Sequence, residues 1–514
     1  MTPRWMTILF GVLLASAASA APGNKTDVVR DLAGRIGPIV GSALACGDIA
    51  RPRIRVIVDK FAAVIKEASS NEAERDDLTQ LLDRNVADGR GAVTAGKIDC
   101  RLADRQLADL ERSIAAPTLA AAIAPSSAAA ATAPAAPAVS TTTLGVSDRE
   151  IRFGIAAPFS GAARELGRQM KLGIDTAFNR VNDAGGVEGR MLRLIAADDG
   201  YEPTRTADAM KQLYEKDQVF GIIGNVGTPT AIVAVPYALQ RRLLFFGAFT
   251  GANVLRNDPP DRYVFNYRPS YAEETDAAVR YLVKMRRLQP RQIAVFAQQD
   301  AYGDSGFAGV AKAFRTLGAS DSAILRLNYK RNTVDVEEAV NQLKVQKPPI
   351  KAVVMVSTYR AAAKFIEKTR DLYPGMIYTN VSFVGSTELA EELMLLGARY
   401  ANGVIVTQVV PAVSGYSSVV LEYKNALAKY FPGEAPDYVS LEGYVSANVL
   451  IQALKRAGPQ LDTEKLIDTL ESMRNLDLGL GTPLSFGRAE HQASHKIWGT
   501  ALDENGRFQP IELE

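Results

Sequence analysis

Residues that build redox, metal or acid–base centres are scarce in this sequence. Two cysteines and two histidines occur among 514 residues. His491 and His495 have the spacing of a metal-binding pair on a helix, but no third ligand stands near them, and Trp498-Gly499 beyond them is typical of a strand. Asp198-Asp199 would point to opposite faces of a strand and so do not form an acid–base pair. Neither a Gly-x-Ser-x-Gly elbow nor a phosphate loop ending in Gly-Lys-Ser/Thr is present. We therefore expect no enzyme, no metal site and no cofactor.

The sequence also lacks an excess of charge and, beyond its first residues, long apolar runs. Lys and Arg total 59 against 57 Asp and Glu, a formal net charge of +2, and the basic residues form no continuous run. This balance does not favour binding to nucleic acid or to an anionic membrane surface. No stretch after residue 20 approaches the roughly 20 apolar residues of a membrane-spanning helix.

Residues 1–20 have the pattern of a secretory signal peptide. Arg4 gives a positive start, Met6 to Leu14 is apolar, and the residues that follow, through Ala20, are small. This pattern predicts cleavage before Ala21 and export to the periplasm. The alternative is an uncleaved membrane anchor, which the shortness of the apolar run disfavours. Lipid attachment is not expected, because no cysteine follows the cleavage point.

Residues 21–115 are expected to form a small helical domain. In an exported protein, Cys46 and Cys100 most simply form a disulfide, and two buried free thiols are the alternative. Apolar residues recur at helical spacing in two stretches: Val28, Leu32, Ile36 and Val40, then Leu102, Leu107, Leu110 and Ile114. Residues 116–145 are dominated by Ala, Pro, Ser and Thr, a composition that cannot bury a core and that predicts a linker.

Residues 146–514 alternate strands with helices. The strand candidates are Ile151–Ala157, Met191–Ala197, Phe220–Gly224, Leu243–Ala248, Ile293–Ala297, Lys351–Val356, Ser382–Val384 and Gly403–Val410. Helical patterns separate most of them, as at Ala272–Met285 and Gly443–Ala457. Such alternation predicts parallel sheets covered by helices on both faces. Because the segment is long for one sheet, we expect an α/β fold of two doubly wound parallel-sheet lobes.

Ligands of open parallel sheets bind beyond the carboxyl ends of the strands. The candidate loops here are Pro158–Gly161, Asp198–Tyr201, Gly224–Thr230, Gly247–Gly251, Gln298–Gly303, Ser357–Tyr359 and Gly385–Glu388. Gly227 and Gly251 allow backbone N–H groups to approach a ligand. Thr228 and Thr250 offer hydroxyls, and Thr228 begins a helix whose free N–H groups and dipole suit a carboxylate. The remaining candidates are one small hydroxyl and three aromatic walls with polar tips: Ser160, Tyr201, Tyr302 and Tyr359. Ordinary turn and cap chemistry is the alternative for each loop.

Five stretches within residues 149–514 together resemble a known family. They are Ile151–Gly161, Gly221–Thr228, Phe246–Ala252, Asp300–Gly303 and Leu441–Tyr444. This part of the chain is similar to the type I periplasmic binding proteins that serve ABC transporters for branched-chain amino acids and related solutes. The resemblance covers most of the chain and keeps the family's order of elements, although no single motif is decisive.

The resemblance implies a set of ligand contacts. The ligand carboxylate would be held by hydroxyl and backbone groups of Gly227 or Thr228, Ala248 and Thr250, with Tyr302 and Tyr359 as aromatic walls. The family's acidic partner for the ligand amine corresponds most nearly to Glu388, although Ser386-Thr387 occupy the closer positions. Phe249 departs from the small residue expected beside Thr250, and it would narrow the pocket or stack on an aromatic ligand.

The resemblance also implies a mechanism. Two lobes, about 146–267 with 411–485 and about 268–410 with 486–514, would close on a ligand about a three-crossover hinge near Arg268, Val410 and Phe486. The closed form, expected to be a monomer, would dock on a membrane permease. The helical domain lies outside the family pattern, so a ligand-sensing or assembly protein that signals through this domain is the alternative function.

Overall fold

The chain divides into two compact units, residues 1–137 and 138–514, in a computed structural model. The structure describes residues 22–46, 49, 51–69, 71–96, 98–115, 143–321 and 324–513. The predicted signal peptide and residues 116–142 of the predicted linker lie outside the described residues. Among the described helices, none combines the length and the apolar character that crossing a membrane requires.

The first unit is a group of helices joined by a disulfide. The helices are α1 (Pro22–Ala45), α2 (Arg51–Ala68), α3 (Glu72–Thr94) and α4 (Cys100–Ala115). Asn71 caps α3, since its side chain accepts a hydrogen bond from the N–H of Glu74. Cys46, just after α1, is bonded to Cys100 at the start of α4, so the predicted disulfide is confirmed. The apolar stripes meet inside the unit, where Val40, Ile57 and Leu107 are buried.

The second unit begins with a parallel sheet, which we call the first lobe. Its elements are β1 (Glu150–Ala157), α5 (Arg164–Asp183), β2 (Met191–Asp198), α6 (Pro203–Lys211), β3 (Gly221–Ile223), α7 (Thr228–Gln240), β4 (Leu244–Phe246) and β5 (Val264–Phe265). The strands lie in the order β2-β1-β3-β4-β5, all parallel. Glu150 pairs with Met191 and Ala157 with Asp198. The loops that follow β1 and β2 therefore leave the sheet side by side.

The second lobe is a seven-stranded sheet. Its elements are α8 (Tyr271–Arg280), β6 (Ile293–Gln298), α9 (Ala301–Thr316), β7 (Leu325–Tyr329), α10 (Glu337–Lys344), β8 (Ala352–Val356), α11 (Tyr359–Arg370), β9 (Ile377–Asn380), α12 (Ser386–Leu396), α13 (Ala398–Ala401) and β10 (Ile405–Gln408). Three helices follow β10 in the chain: α14 (Ser418–Tyr430), α15 (Tyr438–Ala457) and α16 (Thr463–Ser472). The last two strands of the seven-stranded sheet come after them: β11 (Trp498–Leu502) and β12 (Phe508–Ile511). The strand order is β12-β11-β10-β9-β8-β6-β7, and β11 and β12 pair antiparallel.

Helix α15 returns to the first lobe and packs on α5. Two glycines allow the close crossing. A Cβ on Gly173 would lie 1.8 Å from the carbonyl oxygen of Ser440, and one on Gly443 would lie 2.5 Å from that of Met170. The two-lobed α/β architecture predicted from the alternation of strands and helices is therefore confirmed, and the Leu441–Tyr444 motif lies at this helix crossing.

The three chain crossings between the lobes run side by side, which confirms the predicted hinge. The N–H of Asn266 donates to the carbonyl of His491 at 2.7 Å, and the N–H of Ser494 donates to that of Tyr267 at 3.0 Å. The hydroxyl of Tyr267 donates to the carbonyl of Val409 at 2.8 Å. Phe486 itself packs edge-on against Phe265 of the first lobe, with ring centroids 5.3 Å apart.

One predicted strand is wrong. Ser382–Val384 forms a 3₁₀ turn after β9, and Gly385 follows it in the left-handed region with φ of 80°. The N–H of Ser382 donates to a carboxylate oxygen of Glu274 at 2.7 Å instead of to a neighbouring strand. A short apolar run does not reveal such a distant partner. The prediction also missed the short strands β5, β7, β9 and β12.

Candidate functional site

Two threonine hydroxyls meet at the carboxyl ends of β3 and β4. Thr228 begins α7, Thr250 follows β4, and their Oγ1 atoms lie 2.7 Å apart. Both side chains are buried. Gly227, which precedes the helix, has φ of 106°, a conformation that favours glycine. One hydroxyl donates to the other across this distance, so the proton of the second hydroxyl is left to donate to an anionic group at the helix N-terminus.

The backbone of the fourth loop is tied to the third. Ala248 is buried, and its carbonyl accepts from the N–H of Thr250 at 2.9 Å. The N–H of Phe249 donates to the carbonyl of Asn225 at 2.7 Å, and the N–H of Gly227 donates to the carbonyl of Phe249 at 3.2 Å. These bonds hold the two threonines in a fixed relation and turn the Phe249 ring toward the other lobe.

Tyr201 is brought to the same place by a tight turn after β2. Its φ is 62°, and its N–H donates to the carboxylate of Asp199 at 2.8 Å. The Thr206 hydroxyl donates to the same carboxylate at 3.0 Å. Burial raises the pKa of Asp199 to about 6. The Tyr201 ring covers Gly227, where an added Cβ would lie 2.2 Å from the ring carbon Cε2. The absence of a side chain at Gly227 therefore leaves room for the tyrosine.

Five aromatic rings from both lobes pack together in the cleft, and we call them the aromatic cluster. They are Tyr201, Phe249, Tyr271, Tyr302 and Phe383, each almost fully buried. The Phe383 ring stacks on that of Phe249 with centroids 5.1 Å apart and planes at 28°. Its centroid lies 4.6 Å from that of Tyr302 and 6.1 Å from that of Tyr201. Phe383 and Tyr271 were missed by sequence reasoning, and for Phe383 the reason is the incorrect strand prediction.

The tyrosines of the cluster are neutral hydrogen-bonding groups. The Gln298 side chain donates to the Tyr201 hydroxyl at 3.1 Å, and the Tyr302 hydroxyl donates to the carbonyl of Ser357 at 3.3 Å. Burial raises the pKa of both phenols well above the usual value. Both tyrosines therefore offer aromatic surface to the cleft without adding charge to it.

Tyr359 and Arg331 join the lobes at the edge of the cleft. The Tyr359 hydroxyl donates to the carbonyl of Ala162 at 2.7 Å. Arg331 lies 2.8 Å from Glu202 of the first lobe and 3.1 Å from Asp300 of its own lobe. No ring contact among the described residues places Tyr359 in the aromatic cluster. Its hydroxyl instead joins the two lobes at the edge of the cleft.

Ser160 has a supporting position. Its hydroxyl donates to Asp198 at 2.6 Å, and the same carboxylate accepts from the N–H groups of Phe159 at 2.8 Å and Gly200 at 2.9 Å. Burial opposes ionisation of Asp198, but these hydrogen bonds and one from Arg205 outweigh it and lower its pKa to about 2. The structure thus uses the Ser160 hydroxyl to shape the loops after β1 and β2.

Glu388 belongs to the second lobe, whereas the two threonines belong to the first. It is in the first turn of α12, and its Oε2 atom is buried without a hydrogen-bond partner. Burial, and then the charge of Asp437, raise the pKa of Glu388 well above the usual value. An added Cβ on Gly385 would lie 3.1 Å from this oxygen. No hydrogen bond or ion pair among the described residues joins Glu388 to Thr228 or Thr250.

Arg268 is a buried cation beside the aromatic cluster that sequence reasoning assigned only to the hinge. Its Nη2 lies 3.1 Å from Glu274, its Nη1 lies 3.6 Å from Glu442, and it hydrogen-bonds the Ser382 hydroxyl. Its guanidinium carbon is 4.9 Å from the centroid of the Phe249 ring. Burial raises the pKa of Glu442 to about 7 against the opposing effect of Arg268. The hinge, α15 and the second lobe therefore meet at one guanidinium.

The two histidines take structural positions. His491 stacks on Phe265 at 3.9 Å between centroids, and its Nδ1 lies 2.8 Å from the carbonyl oxygen of Val264. His495 lies 2.6 Å from Glu273, and this hydrogen bond raises the pKa of His495. Within the part of the chain that the structure describes, no group of three His, Cys, Asp or Glu side chains is placed to hold a metal.

Comparison with known proteins identifies the second unit. Residues 150–507 match the sequence profile of the periplasmic binding protein family. The Leu/Ile/Val-binding protein homolog 3 of Brucella melitensis is 24% identical over 339 residues, which are 65% of this chain and 86% of the relative. A possible leucine/isoleucine/valine-binding protein from Rhodopirellula baltica has a crystal structure with a TM-score of 0.68 and 39% identity, covering 73% of this chain and 98% of that chain.

A second solved structure agrees. The substrate-binding periplasmic protein from Ralstonia solanacearum is 26% identical with a TM-score of 0.64, covering 70% of this chain and 100% of that chain. The helices of the first unit precede the matched residues. The chain belongs to the type I periplasmic binding proteins of the branched-chain amino acid (Leu/Ile/Val) family and has a solute-binding role.

Proposed function

We propose that this protein captures a small carboxylate-bearing solute between its lobes in the periplasm and delivers it to an ABC transporter permease. The observation that carries the proposal is the pair of buried hydroxyls of Thr228 and Thr250, 2.7 Å apart at the start of α7. A carboxylate can accept from the hydroxyl whose proton is not used between the two threonines, and it is favoured by the positive end of the helix dipole. The names of the Brucella and Rhodopirellula proteins, which describe binding of Leu, Ile and Val, support an amino acid or a related acid.

Closure supplies the selectivity in this proposal. The hydroxyls belong to the first lobe, while Tyr302 belongs to the second. A ligand held by both lobes stabilises the closed arrangement by the contacts that form only on closure. The Tyr359 hydrogen bond to Ala162 and the Arg331 contact with Glu202 then seal the edge of the cleft. In this proposal the closed monomer is the form that the permease recognises, and no bond of the solute is made or broken.

A ligand screen tests the proposal. The chain from Ala21 retains one tryptophan, Trp498 in β11, so its fluorescence reports unfolding of the second unit. A solute present at 100 times its dissociation constant should stabilise the protein by about 2.7 kcal/mol. Thr250→Val should weaken binding by roughly tenfold or more, because a hydrogen bond to a charged group is worth about 1.5–3 kcal/mol.

The matched control is Thr316→Val, which changes an exposed threonine whose hydroxyl bonds only to its own helix, at the Lys312 carbonyl. This variant should bind like the wild type. If no amino acid or organic acid raises the unfolding temperature, or if both variants bind equally, the proposed site is wrong. Uptake of the bound solute by proteoliposomes that contain the cognate permease tests delivery separately.

A further inference from the structure

The aromatic cluster and its surroundings point to the class of solute. We infer that the ligand is an aromatic carboxylate without an ammonium group, whose ring stacks on Phe249 while its carboxylate binds Thr228 and Thr250. This inference rests on the function proposed above and narrows it. Three independent features of the cleft carry it: the aromatic stack, the missing acidic partner and the position of Arg268.

The first feature is a pair of ring faces that belong to different lobes. Phe249 follows β4 of the first lobe and Phe383 follows β9 of the second, and they stack at 5.1 Å. Separation of the lobes uncovers a face of each ring. A flat aromatic solute can bury both faces again when the lobes close, whereas a branched aliphatic side chain cannot match two nearly parallel planes. Because Phe249 adjoins Thr250 in the chain, one small aromatic acid can reach both its ring and the hydroxyl.

The second feature is that no described contact joins the position implied for an amine partner to the threonine pair. The residues after Gly385 are Ser386 and Thr387, and the Ser386 hydroxyl pairs with the Gln408 side chain at 3.1–3.2 Å. Glu388, the next residue, is buried beside Gly385, and no described hydrogen bond joins it to the threonine pair. An ammonium group placed beside Thr228 and Thr250 would have no carboxylate that the described hydrogen bonds join to either threonine.

The third feature is the buried cation. The guanidinium carbon of Arg268 lies 4.9 Å from the Phe249 ring centroid. The nearby acids Glu274 and Glu442 are engaged with the guanidinium itself at 3.1 and 3.6 Å. Because both carboxyl groups are engaged with the guanidinium, neither is free to pair with an ammonium group at the Phe249 ring.

Calorimetric titration of the chain from Ala21 with a matched set of acids tests the inference. The probes are benzoate and phenylacetate, their saturated analogues cyclohexanecarboxylate and cyclohexylacetate, phenylalanine, and the aliphatic amino acids leucine, isoleucine and valine. At least one aromatic acid should bind tenfold or more tightly than its saturated analogue, which has the same carboxylate but no flat ring. The aromatic acids should also bind tenfold or more tightly than phenylalanine, which adds the ammonium group.

A variant separates stacking from carboxylate binding. Phe249→Leu should weaken aromatic acids about tenfold and leave the saturated analogues within about twofold, whereas Thr250→Val should weaken both classes. Phe307→Leu is the control, because Phe307 is a half-buried phenylalanine of α9 beside Arg326 and has no part in the cluster. Its affinities should match those of the wild type.

The outcomes are distinguishable from failure of the proposed function. Tighter binding of leucine, isoleucine or valine than of any aromatic acid overturns the aromatic inference and leaves the proposed function standing. Equal binding of aromatic and saturated acids overturns stacking as the basis of recognition. If none of the probes binds, and the broader screen above also shows no ligand, the proposed function itself fails.

Discussion

Glu442→Gln should remove part of the pH dependence of folding. Glu442 is 2% exposed, lies 3.6 Å from Arg268, and has a pKa raised from 4.5 to about 7 because burial penalises its charged form. Glu274 raises the pKa of Glu442 further, while Arg268 and Arg256 lower it. In the folded protein Glu442 is therefore largely protonated below about pH 7. The positive charge of Arg268 is then neutralised mainly by Glu274.

The direction follows from proton linkage. The folded-state pKa lies above the unfolded one, so the stability contributed by protonated Glu442 is fully present below about pH 4.5 and is lost as the pH rises through 7. Between these two pH values, each pH unit lowers the free energy of unfolding by about 1.4 kcal/mol. The wild type should therefore lose about 2–3 kcal/mol more than Glu442→Gln between pH 5 and pH 8. Glutamine mimics the protonated acid, so the two proteins should be similar at pH 5.

Urea unfolding followed by Trp498 fluorescence at pH 5, 6, 7 and 8 measures this difference. Glu504→Gln makes the same change at an exposed turn residue and should run parallel to the wild type. Parallel profiles for Glu442→Gln and the wild type would refute the reasoning. A variant that is less stable at every pH would show instead that Glu442 is ionised throughout and that its pairing with Arg268 is net stabilising.

Two further predictions concern the helical unit and the edge of the cleft. Replacing both Cys46 and Cys100 by serine removes a link between residues 54 positions apart, and it should destabilise the helical unit by up to about 4 kcal/mol in the chain-entropy model. Thermal unfolding followed by far-UV circular dichroism should show this loss in the double variant and in the reduced wild type. An unchanged unfolding temperature would contradict a stabilising disulfide. Arg331→Gln removes a partly exposed ion pair with Glu202 that joins the two lobes. Because such a pair is worth about 1 kcal/mol or less, the ligand dissociation rate should rise several-fold. A dissociation rate equal to that of the wild type in stopped-flow measurements would contradict this role in closure.

Much of the fold was predictable because its signals are local. The alternation of apolar strands with helices indicated two parallel-sheet lobes, and the glycine and threonine residues after β3 and β4 identified Thr228 and Thr250. These patterns are readable because a strand and the helix after it are coded within a few dozen residues. The cysteine pair was likewise interpretable as a disulfide, because the signal-peptide pattern predicts an exported protein. Whether these residues bind a solute stays a prediction.

Other parts of the site depend on contacts between distant residues. Phe383 was assigned to a strand, because nothing near Ser382 in the sequence reveals that Glu274, more than a hundred positions earlier, accepts its N–H. Glu388 matched the acidic residue of the family only approximately, and the structure buries it beside Asp437. Arg268 was placed at the hinge, but its role beside Phe249 required the packing of both lobes.

The sequence alone thus determined the class of fold, the pair of cysteines and the loops from which a ligand site could be built, because each follows from local periodicity, composition or turn chemistry. The tertiary structure decided which side chains share the cleft. It joined Phe249 to Phe383 across two lobes, paired Arg268 with Glu274 and Glu442, and left the buried Oε2 of Glu388 without a hydrogen-bond partner. Packing between the lobes brings together residues that are more than a hundred positions apart in the chain. A local sequence pattern cannot predict such contacts, because it contains no information on the distance between residues so far apart.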